Sequence, residues 1–221
     1  MKFNMLLLSA LLAPAVQAEP FFSEYVEGSS NNKALEIYNP DAAPIDLSAY
    51  SIKMFFNGGT TSSRTVTLSG SLAPGKTFVV ADAKADATLL AKANITMPTG
   101  VFNGDDAIAL YKGNTLIDVF GQIGMDPGTG WGTGSNVTVD KTLVRKTSVN
   151  QGDVNGSDAF DPTVEWDFFP TNTYDNLGSH SAAAGGGSGT GGGTGGGTTP
   201  PAVLIGACGD AATKISDIQG A

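Results

Sequence analysis

The stretch from Phe102 to Gly124, FNGDDAIALYKGNTLIDVFGQIG, most constrains what this chain can fold into. Two apolar runs, residues 107–111 and 115–120, flank a Lys-Gly-Asn turn. Glycine and asparagine accept positive φ, so this pattern predicts a β-hairpin. A hairpin this apolar needs cover on at least one face. We therefore expect it to lie centrally in a sheet that packs against a second sheet.

The other strand-like runs are short and separated by turn residues. They are residues 21–27, 33–39, 50–56, 64–68, 77–81, 142–145 and 164–169. Residues 83–93 carry the one helical pattern, with Asp82 placed to cap it. Many short strands with one helix predict an all-β fold, an antiparallel β-sandwich with one short helix, over residues 19–181.

The N-terminal eighteen residues have the pattern of a bacterial secretory signal peptide. Lys2 is followed by an apolar stretch at residues 5–12 and by the small-residue cleavage site Val16-Gln17-Ala18. The apolar stretch is too short to span the ~30 Å of a bilayer core. We expect cleavage after Ala18, secretion of the product, and no transmembrane segment after the signal is removed.

The C-terminal part differs in composition from the rest. Residues 182–201 are alanine, glycine, serine, threonine and proline, which predicts a disordered, flexible linker. Residues 202–221 are too few to form a core of their own. We expect them to be the truncated start of a second domain. Cys208 is expected to remain a free thiol or to form a disulfide with a partner outside this chain.

Charge argues against a nucleic-acid partner for this chain. Its formal net charge is -9 and its pI is about 4.4. Such a surface repels phosphate groups and anionic lipids, so we expect weak or no direct binding to nucleic acid.

Two acidic motifs are weak candidates for a metal site. Asp105 and Asp106 could bind a hard cation through oxygen ligands, or could cap their turn by accepting backbone N–H bonds. Asp153, Asn155 and Asp158 lie in GDVNGSD, which is similar to a calcium loop but lacks the distal bidentate glutamate. For both motifs the structural alternative, a capped turn or a solvated loop, is favoured.

The remaining candidates are three basic residues, a tryptophan and a histidine. Lys141, Arg145 and Lys146 could contact a phosphate backbone, although a solvated strand face is favoured. Trp131, in a glycine-rich loop, is either an exposed anchor for a partner or a plug in the sandwich core. His180 has no second ligand to form a metal set and no catalytic motif beside it, and we expect a polar residue at a strand end.

Motifs in order along nearly the whole predicted domain resemble the lamin tail domain, which implies an immunoglobulin-like sandwich. The longest are SEYVEGSSNNKALEIYNP (23–40), LAPGKTFVVA (72–81) and NGDDAIALYKGNTLIDVFGQIG (103–124). The shorter ones are WG (131–132), TLVRK (142–146), EW (165–166) and NLGSH (176–180).

More narrowly, the chain is similar to the module at the N-terminus of secreted bacterial extracellular nucleases. In those proteins an oligonucleotide-binding-like module and a metal-dependent catalytic domain follow, and CGDAATKISDIQGA (208–221) is similar to the start of the middle module. Such catalytic domains need carboxylates, an asparagine and paired histidines. This chain has one histidine, so no catalytic residue carries over.

The resemblance implies a non-catalytic accessory module that positions, supports or attaches a DNA endonuclease domain of the same polypeptide. It implies no cofactor in this chain and a divalent metal in the nuclease domain. The alternative is a stand-alone secreted module that recognises a protein or a glycan. Hydrolysis by this chain itself has no set of residues to support it.

Overall fold

The structure, a computed structural model, describes residues 17–182. Four sequence predictions fall mainly outside the described residues: the signal peptide, the linker, the start of a second domain and the pairing of Cys208.

The described residues form short strands, two one-turn α-helices and two 3₁₀ turns, Leu47–Ala49 and Phe56–Gly58. The strands are β1 (Phe21–Glu27), β2 (Lys33–Tyr38), β3 (Ile45–Asp46), β4 (Tyr50–Phe55), β5 (Arg64–Thr67), β6 (Ser71–Leu72), β7 (Thr77–Asp82), β8 (Ile95–Met97), β9 (Ala107–Lys112), β10 (Thr115–Phe120), β11 (Gly132–Thr133), β12 (Asn136–Val137), β13 (Lys141–Arg145) and β14 (Trp166–Phe169). The helices are α1 (Ala87–Leu90) and α2 (Pro162–Glu165).

Two sheets build the sandwich. The larger has six strands in the order β14-β13-β1-β2-β7-β8, and the smaller has four in the order β10-β9-β4-β5. Two small ladders, β11-β12 and β3-β6, lie in the connections. The pairing is antiparallel except between β7 and β8, which run parallel. The predicted all-β sandwich is confirmed, with this one parallel pair as a difference.

The predicted central hairpin forms from β9 and β10. Its turn uses Gly113, whose φ of +58° favours glycine. Strand β9 lies between β10 and β4, but β10 is the edge strand, so the expectation of a fully central hairpin was wrong. Ile108 and Leu110 enter the main core, whereas Ala109 and Val119 belong to a second apolar cluster. Burial of both faces explains why the hairpin is so apolar.

The main core lies between the two sheets. It combines Tyr25 and Leu35 of the larger sheet with Ile52 and Leu110 of the smaller one. Trp131 belongs to the same core and is 3% exposed. The core-plug alternative for Trp131 is therefore correct, and the exposed-anchor alternative is wrong.

The helix is shorter than predicted and begins later. Asp82 is the last residue of β7 and pairs with Met97, and its side chain accepts the Lys84 N–H (2.8 Å). Asp86 caps α1 instead by accepting the Leu89 N–H (2.9 Å). The sequence prediction missed the strand pairing that keeps Asp82 in β7, because β8 follows the helix in the chain.

The segment that follows β14, residues 170–180, is here named the strap. Its Tyr174 and Leu177 pack with Val26 and Val79 in a third apolar cluster. Neighbouring strand residues point to opposite sides of a sheet, so this cluster lies on the side of the larger sheet away from the main core. No helix among the described residues has the length and apolarity needed to cross a membrane.

Candidate functional site

Arg145 lies at the centre of a buried polar network rather than on a solvated strand face. It is 1% exposed, and its guanidinium lies 5.0 Å from the ring centroid of Trp166. Its Nη1 donates to both oxygens of Asp118 (2.8 and 3.0 Å), and its Nη2 donates to Glu165. The prediction of a solvated face was wrong for Arg145 because its two carboxylate partners lie far away in the sequence.

Asp118 connects parts of the fold that are distant in the chain. Besides Arg145, it accepts the Phe22 N–H of β1 (2.7 Å) and the Asp153 N–H of the loop before α2 (2.8 Å). Burial raises the pKa of Asp118, and the charge of Arg145 and the backbone donors act in the opposite direction. Since arginine stays protonated, the carboxylate is ionised opposite it. The network therefore ties β10 to β1 and β13.

The other two basic candidates do not join Arg145 in a common surface. The Nζ of Lys146 donates to the carbonyl oxygens of Thr163 and Val164 in α2, at 2.6 and 3.0 Å. Lys141 begins β13, where it pairs with Glu27 of β1. The charged groups of Arg145 and Lys146 are thus occupied by acceptors of the same chain.

Asp105 and Asp106 have the contacts of a capped turn. Both are buried, and Asp106 accepts the Asn57 N–H at 2.9 Å. The Asn103 amide, in the orientation that satisfies its partners, donates to both carboxyl groups. Burial raises the pKa of Asp106 to about 6. Among residues 17–182, no three or more His, Cys, Asp or Glu side chains are placed to hold a metal ion.

The loop with Asp153, Asn155 and Asp158 is closed by local hydrogen bonds. Asp153 accepts the Asn155 N–H (2.8 Å), and Asn155 accepts the Ser157 hydroxyl (2.8 Å). Asp153 and Asp158 line an open cavity of about 510 Å³ together with Glu165. These short-range contacts are those of a polar loop that stabilises its own turns.

His180 ends the strap and lies against aromatic rings. Its ring centroid is 5.0 Å from that of Tyr38 and 6.0 Å from that of Phe21, both edge-on. Burial, with a smaller contribution from the charge of Arg145, lowers the pKa of His180 to about 4. The imidazole is therefore neutral at pH 7. It also lines an open cavity of about 450 Å³ with Ser148, Asp167 and Asn176.

Two buried glutamates were not selected by sequence reasoning. Glu24 of β1 and Glu36 of β2 are direct cross-strand partners, and each is 1% exposed. Glu36 accepts the Ser23 hydroxyl (2.7 Å) and the Gly178 N–H (2.6 Å). Neither carboxyl oxygen of Glu24 has a hydrogen-bond partner. Their positions in the predicted strands could have drawn attention to them. Glu24 and Glu36 alternate with the inward-facing Tyr25, Leu35 and Ile37, so they lie on the opposite side of the same sheet.

Comparison with known proteins gives the family. A family model described as Lamin Tail Domain matches residues 13–124. The chain belongs to the lamin tail domain family. Its all-β fold is thus the immunoglobulin-like lamin tail fold that the resemblance implied. No curated protein and no solved structure matches the chain.

The lamin tail domain of this chain extends beyond the matched residues. The match ends at residue 124, but β13 and β14 follow it and pair in the same sheet as β1. The polar network crosses that limit as well, because Asp118 lies inside the match and Arg145 and Glu165 lie outside it. The sandwich is therefore complete only with residues up to the strap.

Proposed function

We propose that this lamin tail domain is a non-catalytic accessory module of a secreted bacterial extracellular DNA endonuclease. Its role is to position, support the folding of, or attach a nuclease domain that lies outside these residues. The divalent metal belongs to that nuclease domain. The N-terminal pattern of a signal peptide and the similarity of residues 208–221 to the start of a following module support the proposal.

The observation that carries the proposal is that several buried polar side chains of the described residues make hydrogen bonds and ion pairs within the chain. Asp118 and Glu165 bind Arg145, Asp106 binds a backbone N–H, and Glu36 binds the strap. General acid–base or nucleophilic catalysis needs such groups within hydrogen-bond reach of a substrate in an accessible cleft. Groups committed to internal contacts suit a scaffold better than a catalyst.

The nucleotide sequence that follows the codon for Ala221 tests the nuclease context. We expect the reading frame to continue into a domain with metal-holding carboxylates, an asparagine and paired histidines. A stop codon at that point contradicts the proposal and favours the stand-alone module.

A cleavage assay tests the absence of catalysis. The purified chain is incubated with plasmid DNA, Mg²⁺ and Ca²⁺, and we expect the plasmid to stay supercoiled. Cleavage that a chelator abolishes contradicts the proposal. A mock preparation from host cells that lack the gene separates activity of this chain from a contaminating nuclease, because a contaminant cleaves in both preparations.

The second candidate is a stand-alone secreted module that binds a protein or a glycan. It is favoured by the open cavity next to His180, where Ser148, Asp167 and Asn176 offer hydrogen-bonding groups. Such groups are those that sugar hydroxyls or a peptide backbone use. Binding to a panel of immobilised glycans, reduced by Asn176→Ala, is the result that supports this candidate.

A further inference from the structure

The strap lies over a pair of facing acids on the larger sheet. Glu24 and Glu36 are opposite each other in the β1–β2 register and are both shielded from solvent. Two ionised carboxylates directly across a strand pair repel each other, and burial strengthens the repulsion. The arrangement is stable only when at least one of the two carboxyl groups is neutral.

The surroundings of the two groups decide which carboxyl is neutral. Burial raises the pKa of Glu36 as well, but the hydrogen bonds that Glu36 accepts from Ser23 and Gly178 act against burial and favour its ionised form. Neither carboxyl oxygen of Glu24 accepts a hydrogen bond. The charged groups that face Glu24 are Glu36 on β2, Lys92 after α1 and Asp175 in the strap, and burial followed by Glu36 raises the pKa of Glu24 to about 9. Glu24 is therefore protonated at pH 7.

The strap is held by the same groups. The Gly178 N–H donates to Glu36, the direct neighbour of Glu24 (2.6 Å). The Nζ of Lys92, which faces Glu24, donates to the Leu177 carbonyl (3.2 Å). Tyr174 and Leu177 add apolar contact with the sheet. A charge on Glu24 would repel Glu36 and Asp175 and would compete for Lys92.

We propose that the proton on Glu24 holds the strap closed, and that its release to solvent opens residues 170–180 while the sandwich stays folded. The strap directly precedes the residues that follow the described domain. At alkaline pH the strap is therefore released from the sheet, and the C-terminal segment that is not packed on the domain becomes longer. This inference does not depend on the nuclease context proposed above.

Proteolysis of the full chain tests the proposal. Chymotrypsin cleavage after Tyr174 is measured from pH 6.5 to 9.5 and divided by the rate for a free peptide of residues 170–181, which removes the pH dependence of the protease. Because the pKa of Glu24 is about 9 in the closed strap and near 4.5 once the side chain is exposed, release of this one proton gives roughly a 200-fold rise in this ratio from pH 6.5 to 9.5, most of it below pH 9. The Glu24→Gln variant keeps the volume and stays neutral, so its ratio is expected to remain flat. Asp126→Asn, an exposed acid-to-amide change, is expected to behave like the unmodified chain.

Four results would overturn the proposal, and the first three are read from the cleavage rates. The first is a flat ratio in the unmodified chain, and the second is an equal rise in Glu24→Gln. The third is a parallel rise in cleavage after the buried Trp166, which reports unfolding of the whole sandwich. Addition of Ca²⁺ at pH 9.5 is expected to leave the ratio unchanged. Closure by Ca²⁺ would replace the proton with a cation site and reject the proposal.

Discussion

Arg145 is a residue whose side chain joins three separate elements of the fold. Its contacts with Asp118 and Glu165 link β13 to β10 and to the end of α2, and its planar group lies over Trp166. Removal of one partner of a buried ion pair leaves the other charge without compensation. Removal of one partner from this buried pair is therefore expected to destabilise the fold.

Replacement of Arg145 by methionine is expected to lower the free energy of unfolding by about 3–5 kcal/mol. The physical reason is the uncompensated charge on Asp118, which is fully buried. Urea unfolding followed by far-UV circular dichroism measures the loss. The double variant Arg145→Met with Asp118→Leu should recover part of it, because it removes both charges. A single variant as stable as the unmodified chain would contradict this role of the pair.

His180 is expected to titrate far below an ordinary histidine. Its pKa in the folded protein is about 4, against 6.5 for the free side chain, because of burial and then the charge of Arg145. The unfolded chain therefore binds a proton more readily, and stability is lost as pH falls from 6.5 towards 4. The chain has one histidine, so its Hε1 NMR resonance is unambiguous and should show a midpoint near pH 4.

The His180→Phe variant is the control for that titration, because it keeps an aromatic ring against Tyr38 and Phe21. The stability difference between this variant and the unmodified chain should change between pH 6.5 and 4 and stay constant above pH 7. A midpoint close to 6.5 in the unmodified chain would show that the ring is solvated.

At the scale of single elements, α1 shows how a short helix depends on its cap. The helix has one turn, and Asp86 satisfies one of its free N–H groups. Asp86→Ala is expected to lower the free energy of unfolding by about 1 kcal/mol, measured by thermal or urea unfolding. Asp86→Ser, which can still accept the Leu89 N–H, should lose little. Equal losses in the two variants would argue that another contact of Asp86 matters more.

The β9–β10 turn gives a second prediction at this scale. Gly113 has a positive φ, and a Cβ at this position would meet no atom within 4 Å. Backbone conformation alone therefore sets the cost of substitution. Gly113→Ala is expected to lose roughly 1–2 kcal/mol in urea unfolding, and Gly113→Asn less, since asparagine tolerates this region. An equal loss in both variants would point to strain elsewhere in the hairpin.

Elements with a local signal were predicted correctly, and those that depend on distant pairing were not. The apolar pattern and turn chemistry were sufficient for β1, β2, β4 and the β9–β10 hairpin. The short strands β8, β11 and β12 carry too few residues for a periodic pattern, and residues 164–165 belong to α2 because Asp161 and Pro162 start a helix there.

The candidate site also depends on pairing between residues that are distant in the sequence. Leu143 and Arg145 are two residues apart in a strand and so share one side of the sheet, a local signal for burial of Arg145 that the prediction of a solvated face did not use. Asp118 interrupts an apolar run and carried a similar signal. Nothing local to either residue indicates that the two meet, because they lie on different strands of different sheets.

For the whole molecule, the acidic balance sets the expected interaction with DNA. The net charge of -9 and the internal use of Arg145 and Lys146 leave few cations for phosphate contacts. We expect no dissociation constant tighter than ~10⁻⁴–10⁻⁶ M for a duplex at low salt, measured by gel shift or fluorescence anisotropy. Binding that is tighter and weakens steeply with added salt would contradict this expectation.

The place of β1 in the larger sheet has a consequence for how the protein is made. Glu24 pairs on one side with Glu36, which is synthesised soon after it, and on the other with Val144, which is synthesised far later. A nascent chain that emerges with its N-terminus first exposes the open edge of β1 until β13 arrives. Such late closure gives slow folding and a window in which that edge can pair wrongly. A chaperone that covers the open edge of β1 during this interval would raise the yield of native protein without changing its free energy of unfolding.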